Sequence, residues 1–252
     1  MARHLKTHPF LLILFTAFSL SPAAAANRFI GRMNRLLPRL EGHSLGEIKR
    51  RLDQTRLPAL TAADRETIFD DLPFVTPGNL VHDEALIARL RRRIYPVLAY
   101  HRRENIIIVV FNDSRPIAIT RRGGLIALST ALLDMLPTDE ELMAVVAHEM
   151  GHIYVAVDFT YATRAGDMRK LRRLELYCDS IAVATLTSLK INPHYLARAL
   201  ARVYNHPSIA SHDSVTNTHP TLVVRVSLID RLGSTLRTGT AGAAVGAFAA
   251  AR

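Results

Sequence analysis

Residues 148–152 run His-Glu-Met-Gly-His within a long helical pattern. Histidines four apart on a helix point the same way, because 3.6 residues complete a turn. Two imidazoles so placed can share one metal ion. Glu149 lies about 100° around the helix from His148. That is a poor position for a third ligand on the same edge and a good one for holding a metal-bound water. Two histidine ligands with a carboxylate base between them suit water-driven attack on a carbonyl, with zinc as the metal. The plainer alternative is a pair of core histidines and an ion-paired glutamate, which must then find buried partners.

The flanks place this motif on an apolar helix. Ala144 to Ala147 precede it, and Ile153-Tyr154 follow. Thr138 is a plausible N-cap, with Glu141 three residues on as its capping-box partner. Asp139, Glu140 and Glu141 put negative charge in the first turn, where the helix dipole favours it.

A catalytic zinc needs a third protein ligand and an open position. Downstream, Asp167 can cap a helix running to Leu189, with Leu171, Leu174, Cys178, Ile181, Ala182 and Leu186 as its apolar stripe. Glu175 and Asp179 border that stripe, four residues apart. Glu175 can be the third ligand. Asp179 can accept the outward N–H of a ligating histidine. Alternatively, the two acids pair with Arg172 or Arg173.

Other elements must hold these helices in place. Residues 27–82 carry Pro38, Pro58, Pro73 and Pro77 and suggest an irregular, mostly helical segment. Asp83 opens a better helix, which Pro96 should kink or end. The run Ile106 to Phe111 is β-branched and continuous, which predicts a buried strand. Ile117–Ile119 and Leu125–Ser129 are two further short strands, separated by turns at Asn112-Asp113-Ser114 and Arg121–Gly124. A strand beside the metal could pair with an extended peptide along its free edge; an ordinary core strand would look the same in sequence.

The chain has 252 residues, 49% of them hydrophobic, enough for one globular domain with a core. Residues 1–26 combine a basic start, an apolar run from Phe10 to Leu20 and small residues to Ala26. This pattern is that of a signal peptide, with an uncleaved anchor as the alternative. The single cysteine, Cys178, permits no internal disulfide, which fits a bacterial periplasm among exported settings. Formal net charge is +10. With export expected, anionic lipid or acidic substrates are better partners for that charge than nucleic acid. Arg89, Arg91, Arg92, Arg93, Arg102 and Arg103 cluster in one helical stretch and suggest a solvated face.

Taken together, His148-Glu149-x-x-His152 and Glu175-x-x-x-Asp179 resemble the gluzincin pattern. More closely they resemble the HtpX-like and BepA-like zinc metallopeptidases, which include the CAAX prenyl endopeptidases and Oma-type proteases. The similarity runs from about Asn105 to Leu232. It takes in Gly123–Ser129, the Leu132-Leu133 pair, and Thr218-His219-Pro220 with Arg225 six residues after the histidine. It departs at Arg115-Pro116, where the family often has Asn-Ala. The segment between His152 and Glu175 holds no apolar run long enough to span a membrane. The resemblance implies that His219 and Arg225 lie near the active site, as candidates to stabilise the oxyanion or regulate access. His219, and more remotely His206 or His212, could be a fourth ligand at rest; the alternative is that Pro220, suited to a first helical position, puts Thr218-His219 at a plain helix start.

The expected fold is α+β and mainly helical: a zincin-like metallopeptidase domain with a small sheet beside the metal helix. The expected organisation is a signal peptide over 1–26, an N-terminal segment over 27–82, the metallopeptidase domain over 83–236 and a Gly/Ala-rich tail over 237–252. The expected activity is a one-zinc endopeptidase acting on proteins or peptides in envelope quality control. A metal-containing chaperone or adaptor and a membrane-surface binding protein are the rivals.

Overall fold

The computed structural model describes residues 44–59, 61–62, 68–69, 72, 74–121, 123–208 and 218–234. The leader reading over 1–26, His212 and the tail over 237–252 lie outside them. Ser44 opens the first described helix, α1 (Leu45–Gln54), by accepting from Glu47 N at 3.3 Å. Leu45, Ile48 and Leu52 on its buried face join the main core. Asp83 caps α2 (Glu84–Tyr100), accepting from Leu86 N at 2.9 Å. Pro96 does not end this helix. Leu90, Ile94, Val97 and Leu98 are buried on both sides of it, and that packing outweighs one lost backbone bond.

The arginine cluster around α2 is not a single solvated face. Arg91 donates to the carbonyls of Glu104 and Ile106 at 2.6 and 2.8 Å. Arg93 Nε lies 2.6 Å from Asp139 Oδ1. Arg103 is buried, past the end of the helix. The reason lies in the chain's return: once α2 ends, residues 102–106 fold back along it and bring carbonyls to the guanidiniums.

Three short strands follow: β1 (Ile107–Phe111), β2 (Ala118–Arg121) and β3 (Leu125–Ser129). Their order is β1-β3-β2, with β1 parallel and β2 antiparallel to β3. Residues 80–81 cover part of the outer edge of β1, through Val81 N to Val110 O at 2.9 Å. The opposite edge strand, β2, is the one that packs on the metal helix.

Ser129 caps α3 (Thr130–Met135). Thr138 caps α4 (Asp139–Arg164), accepting from Glu141 N at 3.2 Å. Only half of the expected capping box forms. The Glu141 carboxylate is fully buried and turns to Arg198 and Arg202, at 3.1 and 3.2 Å, because two guanidiniums outbid one backbone N–H. Asp167 caps α5 (Met168–Ser188), as the sequence predicts. The two arginines belong to α6 (His194–Tyr204), and the final described helix, α7, spans 222–234.

α4 is the central element, packed against α2, α5, α6 and β2. It is buried around its whole circumference from Glu141 to Ala156, as a helix apolar on all faces must be. By length and composition it could cross a membrane, yet 94% of its apolar window is buried inside the protein. The fold is mainly helical with a small mixed sheet, consistent with a zincin-like domain.

Candidate metal centre

The motif histidines lie in the middle of α4, and α5 returns beside them after a short turn containing Gly166 at φ 63°. This hairpin brings Glu175 and Asp179 to the histidines. His148 Nε2 is 3.2 Å from His152 Nε2 and 3.4 Å from Glu175 Oε2. His152 Nε2 is 3.7 Å from Glu175 Oε1. All three residues are at most 1% exposed.

These distances test the fit of a metal. Ligand atoms about 2.0–2.1 Å from a tetrahedral zinc stand roughly 3.3 Å apart. The three donors already lie near that spacing. Moreover, only imidazole nitrogens approach the buried Glu175 oxygens among the described residues. Two imidazoles and a carboxylate converging on one point without water need a shared cation to balance them. The residues present therefore fit one zinc ion.

Behind the ligands lies a second tier. His148 Nδ1 is 2.9 Å from Asp179 Oδ1. Arg225, fully buried on α7, holds Asp179 with two bonds: Nε to Oδ2 at 2.8 Å and Nη2 to Oδ1 at 2.6 Å. α7 is held in turn by Tyr204, whose hydroxyl donates to Pro220 O at 2.6 Å. Thr221, not Pro220, precedes the helix, and its carbonyl accepts from Arg225 N. His219 lies in the turn before α7, with Nδ1 2.9 Å from Glu175 Oε2. His206 instead contacts Ser208 Oγ at 2.7 Å.

Glu149 turns towards the sheet. Its Oε2 is 3.0 Å from the hydroxyl of Thr120 on β2, which also lies 3.1 Å from the Glu149 carbonyl. Oε1 accepts no hydrogen bond. One oxygen is anchored and the other is available. Thr120 escaped the sequence reading; the visible signal was one hydroxyl in an apolar strand.

The electrostatics follow from burial. Desolvation raises the Glu149 carboxyl to about 7, against the opposing effects of His148 and Thr120. For His148, burial favours the neutral ring, but the Asp179 and Glu175 carboxylates outweigh it and hold the group at about 9. His152 is pushed down by burial to about 3, with the Glu175 carboxylate only partly opposing it. Burial also disfavours ionised Glu175 and Asp179. The surrounding imidazoles for Glu175, and Arg225 for Asp179, reverse the balance and keep both below the ordinary range.

Comparison with known proteins agrees with this centre. Residues 82–163 match the model of peptidase family M48. The match covers α2, the sheet, α3 and nearly all of α4, and stops before Glu175, Asp179, His219 and Arg225. No curated protein matches the chain. The stretch that carries the metal helix is thus similar to peptidase family M48, over about a third of the chain.

Proposed function

We propose that the protein is a zinc-dependent endopeptidase, with His148, His152 and Glu175 as metal ligands and Glu149 as general base. The observation that carries this reading is the convergence of three buried donors at 3.2–3.7 Å beside a glutamate with one free oxygen. Zinc held there would act as a Lewis acid and bring the pKa of water towards neutrality.

The chain's own residues supply the rest. Glu149 Oε1 takes a proton from the attacking water and passes it to the leaving amine. Thr120 keeps Oε2 fixed, so that Oε1 faces the reaction. Asp179 accepts the Nδ1 hydrogen of His148, which leaves the Nε2 lone pair for the metal. Arg225 acts through Asp179, neutralising its buried charge. His219, with Nδ1 2.9 Å from Glu175 Oε2, is the better placed of the two oxyanion candidates. A peptide pairing with the edge of β2 would bring its carbonyl beside Glu149. Since Glu149 and all three ligands are buried, covering residues must move to admit it.

Export to the envelope, and quality control as the cellular task, rest on the leader pattern over residues 1–26 and on the family resemblance. N-terminal sequencing of the secreted protein checks the first. For the chemistry, purified protein should contain one zinc per chain and cleave casein in a chelator-sensitive way. Glu149→Gln should retain the zinc and lose cleavage. Undiminished cleavage by that variant would sink the peptidase reading and leave the chaperone or adaptor.

A further inference from the structure

We propose that the cavity where the α1–α2 connection meets the end of α2 binds a small oxyanion, a carboxylate or a phosphate. The cavity holds about 230 Å³ and is lined by Arg102, Arg103, Asn105 and Glu104, with apolar walls that include Leu57 and Ile106. That is room for an anion and several waters, each of which fills about 30 Å³.

Arg103 carries the argument. It is 7% exposed, yet forms no ion pair among the described residues. Its one side-chain bond runs from Nη2 to Pro58 O at 2.7 Å, and its buried Nε has no acceptor. A guanidinium offers five N–H donors and a full charge. Burying it against neutral groups alone is costly, and chains ordinarily answer such a cation with an anion. Arg225, equally buried, has Asp179 for that purpose. Burial duly pulls the Arg103 guanidinium below its ordinary value.

The end of α2 places a second arginine on the same wall. Arg102 adopts φ 56°, a left-handed conformation that a long side chain rarely takes. That conformation closes a Schellman cap on α2, with Arg102 N bonded to Ala99 O at 3.0 Å and Arg103 N to Leu98 O at 2.8 Å. Here it sets a second, exposed guanidinium on the wall beside the first. Arg91 pins the carbonyls of Glu104 and Ile106 from behind, so the wall is preorganised. Glu104 is the one carboxylate in the lining, and it pairs with neither arginine among the described residues.

The test uses zinc-loaded, full-length protein titrated with inorganic phosphate and, separately, with acetate, at ionic strength matched by sodium chloride. Either anion should give a saturable rise in Tm that chloride does not reproduce. Arg103→Met should weaken the response at least tenfold. Arg102→Asn, which keeps the left-handed backbone favourable, should weaken it severalfold. Both variants should keep their zinc, which separates the effect from the metal centre. Tighter phosphate identifies a phosphate ester or lipid headgroup as the source; equal or tighter acetate identifies a peptide carboxylate. If neither anion acts beyond chloride, or if both variants respond as wild type, the proposal is overturned. Should Arg103→Met fail to fold, the exposed Arg102→Asn decides.

Discussion

Gly151 lies flat against Cys178. A Cβ at Gly151 would stand 2.8 Å from Cys178 Cα and 3.2 Å from its carbonyl oxygen. Cys178 sits between Glu175 and Asp179, so this contact sets how closely the histidines of α4 approach the acids of α5. Gly151→Ala must push the helices apart. The overpacking costs about 1–3 kcal/mol, more than the helix propensity that alanine adds. Stability should fall by about 1–2 kcal/mol, and zinc affinity by roughly tenfold or more as the ligands lose register. Thermal melts and chelator competition measure both; an Ala variant as stable and as zinc-avid as wild type shows the contact to be yielding.

Glu149→Gln should lower kcat by about 10²–10⁴, the usual contribution of a positioned base, while the zinc content stays at one per chain. Metal analysis on the same sample as the cleavage assay separates loss of the base from loss of the metal.

Thr120 offers a subtler test. Thr120→Val removes the hydroxyl that anchors Glu149 Oε2 and keeps the shape of the strand. It should lower kcat by about tenfold, through misplacement of the base, with KM little changed. Thr120→Ser should restore most of the activity, whereas a role in strand packing alone predicts that serine fails and valine succeeds.

Breaking the Asp179–Arg225 pair should be expensive. Arg225→Met leaves a buried carboxylate beside His148 and should cost about 3–5 kcal/mol. Adding Asp179→Asn should recover part of that stability without recovering zinc affinity, since His148 then loses its orienting acceptor. Urea melts of the two singles and the double variant supply the cycle; simple additivity would show that the residues do not act as a unit.

Acid sensitivity has an identifiable contributor remote from the metal. Thr185 Oγ1 donates to Ile181 O, so His101 Nε2 must donate to Thr185 and His101 Nδ1 must accept from Tyr154 OH. Burial holds this neutral ring down at about 3, against an ordinary value of 6.5. Between those values the unfolded chain binds a proton that the folded chain refuses. His101 therefore costs no stability above pH 6.5, and stability falls by up to about 1.4 kcal/mol per unit as pH drops towards 3. His101→Gln can keep both hydrogen bonds without titrating. Its melting temperature should fall less between pH 6.5 and 4.5 than that of wild type; parallel curves would remove His101 from the account.

Much of the metal centre was legible because its determinants are local. The i, i+4 spacing of His148 and His152 puts two imidazoles on one face of any helix, and the Thr138 and Asp167 caps mark where the two helices begin. Glu175 and Asp179 could be picked out because carboxylates bordering an apolar stripe need partners. The sequence by itself thus determined the helices, the candidate ligands and the chemistry that those residue types permit. Tertiary structure decided the rest: that Thr120 anchors Glu149, that Arg225 faces Asp179, that Glu141 turns to α6, and that Gly151 must lack a side chain. Each of these is a contact between segments far apart in the chain. No local period or propensity encodes such a contact; it exists only once the helices have packed, and burial makes each partner obligatory.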